Sequence, residues 1–126
     1  MLAQAQVKAH AANRSIQFVI GDAADPDFAP GTFDVVLARH VIWALANPDE
    51  ALRRWADLLK PGGRLVAIEG RWDSGGTRAT DLMSRLAPLF KQIEHHPLSS
   101  DPDLWGKTVG DERYAVVATG PRGRSK

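Results

Sequence analysis

A strand–helix–strand pattern in the middle of the chain constrains the fold more than any other feature. An apolar run from Phe33 to Ala38 is typical of a strand covered on both faces. A helix signal follows at Asn47, and a second apolar run extends from Arg64 to Glu69. Because strands and helices alternate along the chain, the pattern predicts an α/β sandwich with a mostly parallel sheet.

The helix between these two strands has clear signals at both ends. Asn47 can cap the helix, Pro48 suits the first helical position, and Glu50 can return to the backbone amide of the cap. Apolar residues then follow at helical spacing, namely Ala51, Leu52, Trp55, Leu58 and Leu59. The segment Lys60-Pro61-Gly62-Gly63 ends the helix, and its two glycines allow a sharp turn into the next strand.

The remaining segments predict further elements of the same α/β type, and we expect a single domain over residues 1–126. The expected elements are a helix over residues 1–12, a strand over 16–20, a surface loop over 25–31, a helix over 79–90 whose end Pro88 bends or shortens, an edge strand over 92–98, a last strand over 114–119, and a flexible basic tail over 121–126.

The composition excludes several kinds of site. The chain has 126 residues, a net charge of +1 and no cysteine, so disulfides, thiolate catalysis and cysteine zinc sites are excluded, and charge does not favour a nucleic-acid partner. We also expect no membrane association, because no apolar run approaches about 18 residues. A cytoplasmic location fits a chain without cysteine. We expect no metal site either, since His95 and His96 would point to opposite faces of a strand.

Polar residues follow the first two predicted strands. Asp22 and Ala23 come after the first strand, and Arg39 and His40 come after the second. In open α/β sheets, ligands bind beyond the carboxyl ends of the strands. The Asp22 carboxylate can accept a hydrogen bond from an exocyclic amine, and the Ala23 amide can donate to a ring nitrogen. The alternative for Asp22 is a structural role as the cap of a turn.

The order and spacing of four segments resemble the class I S-adenosylmethionine-dependent methyltransferases that act on small molecules. These segments are Gly21-Asp22-Ala23, Phe33-Asp34-Val35-Val36, Asn47-Pro48 and Leu59-Lys60-Pro61-Gly62-Gly63-Arg64-Leu65. The resemblance covers nearly the whole chain. It implies a Rossmann-like three-layer sandwich, S-adenosylmethionine as cofactor, a small-molecule methyl acceptor, and a family strand order of 3-2-1-4-5-7-6.

The same resemblance implies roles for individual residues. Asp22 would contact the adenine amine, Ala23 would contact the adenine ring through its backbone, and the Arg39 backbone would pass close to the methionine part. His40 and Trp43 would line the mouth where the methyl acceptor sits. His40 has a second candidate role as a general base. The alternative is that His40 only shapes the pocket, because such transfers depend mainly on alignment of the reacting atoms.

Two family motifs are missing from the sequence. Only 17 residues precede Phe18 and none is glycine, so the glycine-rich loop and the acidic ribose ligand have no counterpart. We therefore expect the C-terminal portion of such an enzyme, truncated at the N-terminus, which binds cofactor weakly or not at all by itself. The alternative is a non-catalytic subunit whose exposed strands pair with a partner chain or a second copy. A nicotinamide dehydrogenase is less favoured, since the dinucleotide fingerprint is also missing.

Overall fold

The structure is a computed structural model, which describes residues 2–72, 75–100, 102–105 and 111–123. Its helices are α1 (Leu2–Ala11), α2 (Pro48–Leu58), α3 (Ala79–Leu86) and α4 (Pro102–Trp105), with a short 3₁₀ helix at Ile42–Ala44. Its strands are β1 (Phe33–Arg39), β2 (Leu59–Trp72), β3 (Gly75–Gly76), β4 (Phe90–Pro97) and β5 (Glu112–Pro121).

The start of α2 confirms the predicted cap, with one difference. The Asn47 side chain accepts a hydrogen bond from the Glu50 backbone N–H at 3.3 Å, and Pro48 occupies the first turn. The Glu50 carboxylate returns to the side-chain amide of Asn47 at 3.2 Å, rather than to the backbone amide. The reciprocal contact nevertheless fixes where α2 begins.

Gly62 and Gly63 are structurally required, but they lie within β2, which begins at Leu59, and not in a turn before the strand as predicted. Gly62 has a φ of +79°, which lies in the left-handed region that favours glycine. A Cβ atom on Gly63 would lie 2.9 Å from the Lys60 carbonyl oxygen and 3.0 Å from that of Asp34. Only glycine therefore lets the start of β2 approach β1 this closely.

The sheet confirms the predicted α/β, Rossmann-like class but corrects one detail. Its strand order is β1-β2-β5-β4, with β3 paired to β2. The expectation of a mostly parallel sheet is wrong for the described residues, because β1 and β2 pair in parallel whereas the other three pairs are antiparallel. The parallel pair is the one joined through α2, while β5 runs back between β2 and β4. The sheet is therefore mixed.

The hydrophobic core lies between one face of this sheet and the helices α2 and α3. Its fully buried members include Leu52, Leu65, Leu82, Phe90 and Tyr114, and α1 contributes no residue to this cluster. On the opposite face, Val35 is 42% and Leu37 is 65% exposed. The expectation that β1 is covered on both faces is therefore wrong. A three-layer sandwich needs helices on both faces of the sheet, and the described helices do not cover the second face to the same extent.

The prediction of a strand over residues 16–20 is also wrong. This segment pairs with no strand among the described residues, and Ile16, Val19 and Ile20 are 56%, 59% and 85% exposed. An alternating apolar pattern forms a strand only where a neighbouring strand accepts its backbone hydrogen bonds.

The other predicted elements are present, and α3 ends at Leu86, two residues before Pro88. The tail predicted over 121–126 begins later than expected, since Pro121 is the last residue of β5 and the Arg122 N–H donates to the Leu89 carbonyl at 2.8 Å. Residues 124–126 lie outside the described residues.

Candidate functional site

The carboxyl ends of the parallel strands β1 and β2 form the centre of the candidate site. The chain leaves β1 at His40, whose backbone N–H donates to the Ile68 carbonyl at 2.9 Å. His40 has a φ of +55°, in the left-handed region that residues with a Cβ rarely adopt. This conformation turns the chain out of the sheet and into the 3₁₀ helix that carries Trp43.

A buried carboxylate holds this turn in place. Glu69 is 0% exposed, and its Oε1 accepts hydrogen bonds from the backbone N–H of Ile42 at 2.8 Å and of Val41 at 3.1 Å. Burial raises the pKa of Glu69 above its ordinary value, against the opposing effect of the two hydrogen bonds. Glu69 was not predicted from the sequence as a residue of the site. A glutamate at the end of an otherwise apolar strand was the signal for it.

The ring of Trp72 contacts both His40 and Trp43. The His40 ring meets the Trp72 ring edge-on at 5.4 Å, and Trp43 contacts the same Trp72 at 6.1 Å. Burial, and then the positive charges of Arg39 and Arg113, lower the pKa of His40 from its ordinary value of 6.5. The His40 imidazole is therefore neutral at pH 7, and its Nε2 is buried without a hydrogen-bond partner among the described residues.

A cavity of about 430 Å³ opens beside Trp43, between the 3₁₀ helix and α3; we call it the Trp43 cavity. Its lining residues are Ile42, Trp43, Leu45, Pro48, Gly76, Thr77, Asp81, Ser84 and Arg85. Its volume is within the range of small-molecule sites. Of the two residues predicted for the acceptor side, Trp43 lines this cavity, whereas His40 packs against Trp72 and does not line it.

The predicted adenine contacts lie in a separate turn, residues 22–25. Asp22 Oδ1 accepts a hydrogen bond from the Ala24 N–H at 2.9 Å, so the carboxylate does cap a turn. Trp55 of α2 donates from Nε1 to the Ala23 carbonyl at 2.8 Å, and Arg54 donates to the Ala24 carbonyl at 3.4 Å. The 22–25 turn is therefore fastened to the middle of α2.

In this arrangement one side-chain oxygen and one backbone N–H stay available for a ligand. Neither the second carboxylate oxygen of Asp22 nor the N–H of Ala23 has a hydrogen-bond partner in the part of the chain that the structure describes. One acceptor beside one donor is the pair of groups that an exocyclic amine next to a ring nitrogen requires. Arg39, the third predicted contact, is the last residue of β1 and pairs with Ile68.

The described residues contain neither a metal-binding cluster nor a membrane-spanning helix. No group of three or more histidine, aspartate or glutamate side chains there is arranged to hold a metal ion. No helix there is long and apolar enough to cross a membrane.

Comparison with known proteins extends this description. Residues 1–67 match the family model described as "Methyltransferase domain". The chain is 38% identical over 93 residues to the reducing polyketide synthase grgA of a Penicillium species, which covers 74% of this chain and 3% of that protein. It is 39% identical over 71 residues to the ubiquinone/menaquinone biosynthesis C-methyltransferase UbiE of Roseobacter denitrificans, which covers 55% of this chain and 28% of the relative.

Solved structures show the same fold at low identity. The [4+2]-cyclase SpnF superposes with a TM-score of 0.78 at 20% identity, over 97% of this chain and 64% of that one. The N-methyltransferase NodS of Bradyrhizobium japonicum, solved with S-adenosylhomocysteine, superposes with a TM-score of 0.69 at 17% identity, over 95% of this chain and 62% of that one. The chain thus spans less than two thirds of each of these relatives. The family match and the shared fold together show that the chain belongs to the class I S-adenosylmethionine-dependent methyltransferases, whose cofactor is S-adenosylmethionine.

Proposed function

We propose that this chain contributes to a site that transfers a methyl group from S-adenosylmethionine to a small-molecule acceptor. The observation that carries the proposal is the 22–25 turn, which Trp55 fastens at the Ala23 carbonyl while the Ala23 N–H and one Asp22 oxygen stay available. These two groups suit the amine edge of adenine. One relative named above is a polyketide synthase and another is a quinone-biosynthesis methyltransferase. Both support an acceptor that is a small molecule.

The residues at the end of β1 and β2 supply the acceptor side in this proposal. S-adenosylmethionine, when bound, supplies a methyl group on a positively charged sulfur. Trp43 forms a wall of the cavity that receives the acceptor, and Glu69 holds that wall through the backbone of Val41 and Ile42. His40 is neutral at pH 7 and so has a free lone pair for a proton, although its position against Trp72 equally suits a role in shaping the site.

We expect this chain to provide only part of the contacts to the cofactor. The sequence contains neither the glycine-rich loop nor the acidic ribose ligand of the family within its first 17 residues. We therefore expect S-adenosylhomocysteine to bind the isolated chain with an affinity weaker than micromolar. Calorimetric titration and ligand-observed NMR measure this directly, and micromolar binding would contradict the expectation.

The role of Asp22 has a matched test. Asp22→Asn keeps an oxygen that can cap the turn but replaces the available carboxylate oxygen with an amide that donates, so it faces the adenine amine with a second donor. We expect about a tenfold loss of S-adenosylhomocysteine affinity, measured by ligand-observed NMR. The control Asp27→Asn changes an exposed aspartate of the following loop and should leave the affinity within twofold. Equal affinities of the two variants would remove Asp22 from the site.

A second candidate function is that of a non-catalytic partner subunit. The observation that favours it is the edge of the sheet at β1, which pairs only with β2 among the described strands and exposes Val35 and Leu37. An unpaired edge with apolar side chains is a template for another chain. Light scattering after size exclusion tests this candidate, because a monomer at all concentrations argues against pairing with a second copy.

A further inference from the structure

The Trp43 cavity has an unbalanced negative charge. Two ionised groups of opposite sign line it, Asp81 and Arg85. Arg85 is already paired, since its Nη1 lies 2.6 Å from Asp49 Oδ1. The Asp81 carboxylate makes no hydrogen bond or ion pair with any other residue that the structure describes. The carboxylate of Asp81 is therefore the charge that a ligand in this cavity would meet.

Asp81 is also not needed to cap its own helix. It lies in the first turn of α3, where carboxylates often satisfy free backbone N–H groups. Here the N–H of Ala79 instead donates to Glu112 Oε1 at 2.9 Å. Below the cavity, the buried Tyr114 hydroxyl donates to the Thr77 carbonyl at 2.6 Å, so that hydroxyl does not compete for Asp81.

Another wall of the cavity is the indole of Trp43, which packs against Trp72 and lies beside Gly75. Trp43 is 45% exposed, and Trp72 supports its ring edge-on at 6.1 Å with an interplanar angle of 79°. Gly75 lies close behind it, since a Cβ there would come within 3.3 Å of the indole. The backbone on the N-terminal side of Trp43 is fixed by Glu69. A partly exposed indole is the favoured aromatic partner of an organic cation.

We propose that the Trp43 cavity binds the ammonium group of an organic cation, with Asp81 as the counter-charge and the Trp43 ring as the aromatic wall. The small apolar residues Leu45 and Pro48 complete a surface suited to the alkyl groups of such a ligand. The inference rests on the proposed function in one respect: it makes this cationic group part of the methyl acceptor. It assigns the group that is recognised and leaves the methylated atom unassigned.

The test compares two probes of the same shape, of which only one is charged: the cation choline and its uncharged analogue 3,3-dimethylbutan-1-ol. Ligand-observed NMR titrations of the full chain at low ionic strength measure both affinities without cofactor. We expect choline to bind about fivefold or more tightly than the alcohol. Equal binding, or a preference for the alcohol, would overturn the proposal.

Three variants locate the binding. Asp81→Asn should remove most of the preference for choline while leaving the affinity for the alcohol within twofold. Trp43→Leu should weaken choline binding more than Trp43→Phe, which keeps an aromatic face. The control Asp27→Asn removes an exposed carboxylate elsewhere and should preserve the preference. A preference for choline that survives Asp81→Asn would place the cation at another site and overturn the proposal.

The outcome does not depend on methyl transfer. If S-adenosylhomocysteine binds but choline is not preferred, the cofactor role stands and the cation site fails. If choline is preferred but Asp22→Asn has no effect on S-adenosylhomocysteine binding, the cation site stands and the proposed cofactor contact fails. The two proposals are therefore separated by their probes.

Discussion

Glu69 and His40 lie at the same end of the sheet, and their pKa values shift in opposite directions. Burial raises the pKa of the Glu69 carboxyl and lowers that of the His40 imidazole. In both cases the neutral form is favoured, because burial disfavours charge. Yet Glu69 accepts two backbone hydrogen bonds that its carboxylate makes best, so its side chain serves to hold the turn that carries Trp43.

A pH prediction follows for Glu69. Its pKa in the folded chain exceeds the ordinary value of 4.5, so the folded state binds this proton more tightly than the unfolded state. The contribution to stability is fully present below pH 4.5 and is lost as the pH rises through the folded pKa. Glu69→Gln should remove this loss, which urea unfolding of both proteins across the pH range would measure.

His40 does not obscure that comparison. Its lowered pKa makes stability fall as the pH decreases from 6.5 through its folded value, but this effect is present in both proteins and cancels in their difference. The control Asp27→Asn alters an exposed aspartate of the loop before β1 and should keep the pH dependence of the parent chain. Parallel curves for the parent and Glu69→Gln would contradict the prediction.

Among the elements, α2 joins both halves of the candidate site. Its first residues follow the 3₁₀ helix beside the Trp43 cavity, and its middle fastens the 22–25 turn through Arg54 and Trp55. A helix that is displaced at its start would therefore disturb the cavity and the turn together. This makes the Asn47 cap important for the site as well as for the helix.

Removal of that cap should destabilise the chain. Asn47→Ala deletes the acceptor for the Glu50 N–H and the partner of the Glu50 carboxylate, and we expect the free energy of unfolding to fall by about 1 kcal/mol. Urea unfolding at one pH measures the change. Ser84→Ala is the matched control, because the Ser84 hydroxyl only returns to the Thr80 carbonyl within α3, and its loss should be nearly neutral.

At the scale of the whole molecule, the sheet has one covered and one open face. The helices α2 and α3 cover the first, and Leu37 is 65% exposed on the second. The superposed relatives SpnF and NodS each extend well beyond the part that this chain matches. Leu37 of the edge strand β1 therefore lies on the sheet face that the described helices leave open.

Self-association of the purified chain should occur through this surface. Leu37→Lys places a charge on the exposed face of the edge strand, and we expect it to shift any dimer or larger species toward monomer. Light scattering over a range of concentrations measures the shift. Val7→Lys, which alters a side chain 68% exposed on α1, should leave the distribution unchanged. The same shift in both variants would indicate a general effect of charge.

The elements that the sequence predicted well are those with local signals. Local signals mark the Asn47–Pro48 start of α2, the left-handed backbone at Gly62 and the end of α3 before Pro88. Each depends on neighbouring residues alone, so it could be predicted from spacing and residue type. The family could be predicted for the same reason, since its motifs are short and ordered. Asp22 marks the limit of prediction from local signals, because its residue type allowed both a turn cap and a ligand contact. The structure shows the cap.

The sequence by itself therefore determined the α/β class, the βαβ unit and the family. Tertiary structure decided whether each apolar run found a partner. Residues 16–20 alternate as a strand should, yet they lie exposed, because backbone hydrogen bonds of a strand come from a neighbour and not from the segment itself. The importance of Glu69 and the shape of the Trp43 cavity also emerged only in the fold, since both depend on residues distant in the chain that meet at the end of one strand pair.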